Sequence, residues 1–129
     1  MRYRMALEIN AGQLQSNPNS AIIEIVPGVI TEVEITFPAG HSGLTYVQLY
    51  YQERQIFPTT PGVAFRGDDT VIRFNESWPL REVPYELEVR GWSPLAVYNH
   101  TVFVDITILE DQSFGEVFSS YIGLPEGFL

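Results

Sequence analysis

Apolar and polar residues alternate with a period of two along most of this chain, and that pattern constrains the fold more than any other feature. In Val29-Ile30-Thr31-Glu32-Val33-Glu34-Ile35-Thr36-Phe37, apolar side chains fall on one side and polar ones on the other. A strand with one face in a core and one in water produces this spacing, whereas a helix would repeat every 3.6 residues. No stretch carries a convincing helical period. The expected fold is all-β: an antiparallel β-sandwich of the jelly-roll kind, with extended N- and C-terminal arms.

A chain of 129 residues fits one domain and is long enough to bury a core without cross-links. Hydrophobic residues make up 45% of it and mean hydropathy is +0.01, as in a folded protein. There is no cysteine, which excludes disulfides, thiolate metal sites and a cysteine nucleophile. Met1-Arg2-Tyr3-Arg4 lacks the apolar region of a signal peptide, and no apolar run is long enough for a spanning helix. The expected location is therefore the cytoplasm, with no membrane partner. Net charge is −9, which repels a nucleic-acid backbone, so no direct nucleic-acid binding is expected. All seven basic residues are arginine. Codon bias explains that, as does selection for the rigid guanidinium fork at carboxylate contacts.

Turn signals divide the chain into strands at about 21–26, 29–37, 45–51, 54–57, 70–74, 85–92 and 100–109. Residues 75–84 read as a loop with two prolines and Trp78. The organisation expected from this pass is an N-terminal arm and linker over 1–20, a sandwich core over 21–109 and a C-terminal arm over 110–129.

The two ends are unusual. Residues 1–4 carry Arg2 and Arg4, while residues 5–129 hold all 16 acids against five arginines. Tyr3, Met5 and Leu7 form an apolar side of the N-terminal arm. The C-terminal stretch holds Phe114, Phe118, Tyr121, Ile122 and Phe128, broken by Gly and Pro, with no strand or helix period. An apolar tail left in water is an aggregation hazard, so it is expected to lie on its own domain or on a neighbouring subunit. These ten side chains are the expected interface, with Arg2 and Arg4 paired to acids of the partner.

Residues suited to catalysis are sparse. His41-Ser42 in a loop lacks a Gly-x-Ser-x-Gly elbow, and His100 opens a strand. Glu32/Glu34 and Glu86/Glu88 have the spacing of solvated strand faces. Asp68-Asp69 with Asn75 and Glu76 could offer oxygen ligands to calcium, but the spacing matches no defined loop, and zinc would lack ligands. The sequons at Asn75 and Asn99 read as accidental. No enzyme activity, cofactor or metal is expected. Trp78, Trp92 and Tyr98 are the rings most open to a second reading, as a stacking platform of a carbohydrate-binding module.

The block running from Phe37-Pro38-Ala39-Gly40 through Gln55-Ile56-Phe57-Pro58 and Gly91-Trp92-Ser93-Pro94 to Tyr98-Asn99-His100-Thr101 resembles small β-sandwich virion proteins of tailed bacteriophages, capsid decoration proteins among them. It covers about half the chain and carries no functional residue across. The resemblance implies a non-enzymatic protein seated on a capsid shell, often as a trimer, that reinforces the lattice through extended arms. The expectation is thus a structural assembly protein whose partners are copies of itself and a capsid shell protein.

Overall fold

Alternation becomes nine β-strands in a computed structural model that describes residues 1–40 and 42–110. They are β1 (Arg2–Ile9), β2 (Asn19–Glu24), β3 (Gly28–Phe37), β4 (Tyr46–Tyr51), β5 (Arg54–Phe57), β6 (Phe65–Arg66), β7 (Thr70–Leu80), β8 (Glu86–Trp92) and β9 (His100–Glu110). Two antiparallel sheets result. The first has the order β1-β9-β3-β7 and the second β2-β8-β4-β5, with the short β6 also paired to β4. The chain crosses between the layers at almost every connection, so strands adjacent in sequence seldom pair. The fold is the expected antiparallel sandwich.

The core lies between the layers and is filled by the inward residue of each alternating pair. Met5, Leu7 and Ile9 come from β1; Val102, Val104, Ile106 and Ile108 from β9; Ile30, Val33, Ile35 and Phe37 from β3. Val47, Leu49, Phe57, Leu87 and Val89 meet them from the second sheet. Each such side chain, fully buried, contributes about 1.5–3 kcal/mol. The three-residue step from Ile30 to Val33 breaks strict alternation at a β-bulge: Thr31 is an extra residue of β3 against β9, whereas against β7 the extra residue lies on β7, between Asn75 and Trp78. Gly91 of β8 marks a close approach of the layers, since a Cβ there would stand 2.4 Å from Ile9 Cδ1.

Two segments differ from the sequence expectation. Residues 2–9 form the edge strand of the first sheet, paired with β9 over their whole length, and not an arm. Met5 and Leu7 are therefore in this chain's own core, and the Tyr3 hydroxyl accepts the Val26 N–H at 3.0 Å. Arg2 and Arg4 face outward on the same strand. Residues 75–80 continue β7 and do not form a loop. Pro79 is tolerated because β7 pairs only with β3 and needs no N–H for a second neighbour. Among the described residues no helix is long and apolar enough to cross a membrane.

Candidate interaction surfaces

β9 runs from one end of the sandwich to the other, and its eleven residues span roughly 35 Å. The two ends it joins differ in chemistry. At the His100 end, two loops are knitted together. Gly12 donates to Ser93 O at 3.0 Å, Ser93 donates back to Gln13 O at 3.0 Å, and Ala11 donates to the Asn99 side chain at 2.9 Å. The Ser93 hydroxyl adds a bond to Asn10 O at 3.0 Å. These bonds hold the loop backbones while the side chains point away from the body. Leu95, Val97 and Tyr98 are 74%, 79% and 73% exposed, and Leu14 on the partner loop is 56% exposed. The result is a hydrogen-bonded apolar tip.

At the opposite end a cleft of about 660 Å³ opens along the seam between the edge strands β5 and β7. The β4–β5 hairpin supplies Tyr51, Gln52, Arg54 and Ile56; β7 and the segment after it supply Trp78, Pro79, Arg81 and Glu82. Gln52 and Glu53 form the hairpin turn with φ of 56° and 59°, a left-handed conformation that side chains other than Gly and Asn seldom adopt. Hydrogen bonds hold it there. Gln52 Nε2 donates to Glu82 O at 3.1 Å, and the Tyr51 hydroxyl donates to that same carbonyl while accepting the Glu82 N–H at 3.1 Å. The hairpin and the post-β7 segment are thereby fixed as the two walls of the cleft. Trp78 closes its inner side, edge-on to Phe57 at 5.7 Å. Arg54 makes no ion pair with any described residue.

The outward faces of the two sheets are also distinct. On the first, Arg4, Asp105, Glu34 and Arg73 stand in register across all four strands. Arg2 bridges inward to Glu34 at 2.8 Å and Asp105 at 3.4 Å, and Arg73 reaches Glu34 at 3.2 Å. Hydrogen bonding from Arg2, supported by Arg73, holds the Glu34 carboxyl below the usual carboxylate range against a smaller opposing effect of burial. On the second, Tyr46 stacks on Trp92 with centroids 5.9 Å apart, and Arg90 lies 3.9 Å above the Tyr50 ring. Gln48 donates to Gln55 Oε1 at 3.1 Å and to Val63 O at 2.9 Å. Gln55 in turn donates to Pro58 O, Thr60 O and Val63 O, which fastens the 58–64 loop over that face.

The residues singled out in the sequence are dispersed by this geometry. Trp78 faces the seam, Trp92 lies on the outer face of the second sheet and is only 6% exposed, and Tyr98 is on the tip. Trp92 has one ring face taken by Tyr46, and the three rings share no platform. Phe114, Phe118, Tyr121, Ile122 and Phe128 lie outside the described residues, as does His41. Asp68 accepts the Gly40 N–H at 2.8 Å, while Asn75 and Glu76 alternate to opposite faces of β7. Among the described residues no group of three acidic or imidazole side chains is placed to hold a metal. Leu14, Leu95, Val97, Gln52 and Arg54 were not singled out. The apolar run Leu95-Ala96-Val97-Tyr98 just after the turn signal Ser93-Pro94 was the available clue to the tip. The cleft left none, because β5 and β7 are separated in sequence.

No family model matches the chain, and no curated protein matches it. Among solved structures it is similar to one described as "Bacillus endospore appendages form a novel family of disulfide-linked pili", with 11% identity and a TM-score of 0.42 over 86% of this chain and 88% of that one. A likeness of that degree carries no argument about function, and the 129 residues here hold no cysteine with which to form such a link.

Proposed function

We propose that the protein is a non-enzymatic structural component that assembles with copies of itself. The observation that carries this reading is the apolar tip. Large apolar side chains held in water by an ordered loop pair cost solvation unless a partner covers them, and patches of this kind mark protein contacts. A trimer seated on a capsid shell is the setting we propose for it. The strand order supports that setting. With β6 set aside, eight strands form two sheets in which the first strand lies beside the last, and this is the order of a jelly roll, an architecture used in capsid and lectin domains. The argument from architecture is one of analogy, and the tip is what can be tested.

Light scattering across a range of concentration tests it. The expected result is a multimer that Val97→Glu and Leu95→Glu convert to monomer with no change in thermal midpoint, since both side chains are exposed. A monomer at every concentration would overturn the reading. A carbohydrate-binding module is the second reading, favoured by Trp78 beside Gln52, Arg54 and Glu82 in the cleft. It predicts saturable glycan binding by the monomer that Trp78→Ala abolishes.

A further inference from the structure

We infer that the seam cleft is the receptor for residues 111–129 of a neighbouring copy, an inference that rests on the self-assembly reading above and adds to it a second contact, at the end opposite the tip. Three observations lead there.

The first is where the described chain ends. Glu110 pairs with Gly28, and Gly28 pairs on its other side with Leu80, so β9 finishes at the end of the sandwich where the cleft opens. Leu109 and Glu110 are exposed. The seam lies two strands from β9, beyond β3 and along β7. A copy set against that end presents its own cleft to the same segment. Nineteen further residues can reach about 60 Å when extended, well beyond the sandwich's own length.

The second is composition. Residues 111–129 carry four aromatic side chains, three acids and no arginine. The cleft offers Trp78, Ile56 and Pro79 as apolar walls, and its charged lining is Arg54 and Arg81 against the single acid Glu82. In a chain with 16 acids and seven arginines, a cleft bordered by two arginines is an uncommon local environment, and it is complementary to an acidic, aromatic segment.

The third is rigidity. The cleft walls are fixed by the Tyr51 and Gln52 bonds to Glu82, so a docking segment meets a preformed groove and carries most of the ordering cost itself.

The test uses the full chain with a photo-crosslinking p-benzoyl-phenylalanine in place of Phe128. Irradiation should give covalent dimers and longer ladders, with the label mapped to residues 51–56 or 78–82 of another copy. Arg54→Glu, an exposed substitution that leaves the fold intact, should cut the crosslink yield about tenfold. A synthetic peptide of residues 111–129 should compete. Crosslinks confined within one chain would overturn the inference, as would multimers whose crosslinks fall on another surface; in that second case the self-assembly reading stands. A chain that is monomeric throughout and forms no intermolecular crosslink would remove both. A glycan that alters Trp78 emission while leaving crosslinking undiminished would give the cleft to a sugar and overturn the inference.

Discussion

The outward faces of the two sheets start from the same alternating pattern and reach different chemistry. The first sheet points arginines into water above carboxylates that are largely covered, Asp105 among them, and pairs the two across strands. The second points tyrosines, a tryptophan and glutamines outward; the 58–64 loop is fastened over the glutamines, and Tyr46 stacks on the tryptophan. Alternation therefore fixes which residues leave the core and says nothing about whether water or chain receives them. On the charged face, the arginines that hold the acids are half or more open to solvent, and solvent screening keeps such ion pairs weak. On the covered face, each amide must find a partner, and losing one carries a desolvation cost.

That contrast can be broken by measurement. Trp92→Ala should have the largest effect, about 3–5 kcal/mol in a urea titration, because the indole is buried although it sits on an outer face. A loss below about 1 kcal/mol would mean that the face is open to solvent. Gln55→Ala should cost about 1–3 kcal/mol and make the 58–64 loop sensitive to protease, since it removes the bonds fastening that loop. Glu34→Gln on the charged face should lower the thermal midpoint by only about 1–3 °C, and the difference should vanish in about 1 M salt. An effect as large as that of Trp92→Ala would make the charge network structural.

The same carboxyl gives a pH dependence. Its native pKa is depressed, so its contribution is present above the ordinary glutamate value, about 4.3, and is lost as pH falls through the lowered native value. Thermal midpoints taken from pH 7 to pH 2 should show that decline, and Glu34→Gln should flatten it. The smallest effect is expected at Thr45, whose buried hydroxyl has no hydrogen-bond partner among the described residues. Thr45→Val should be neutral or slightly stabilising by thermal melt, because it removes an unsatisfied group without changing shape.

Most of the strands were legible because their inward sets, such as Leu87 and Val89 or Val102 to Ile108, announce themselves by period. β7 beyond Phe74 was not. Asn75, Ser77 and Pro79 all point outward there, and three turn-forming residues in a row of alternate positions look like a loop until the inward Trp78 and Leu80 are seen against β3. β1 was legible as a strand, but its partner was β9, nearly a hundred residues away, and a strand without a visible partner reads as an arm. The candidate surfaces were harder still. The tip rests on four hydrogen bonds between distant loops, and the cleft on two edges brought side by side by the sandwich.

The row Arg4–Asp105–Glu34–Arg73 has one further consequence. Its acids occupy the two central strands and its arginines the two outermost ones, β1 and β7. Any two copies that tried to extend this sheet laterally, edge against edge, would bring guanidinium against guanidinium. Pro79 also leaves β7 one donor short for such a join. The protein can thus be crowded at high local density through its ends while its first sheet resists fusing into a continuous cross-β ribbon.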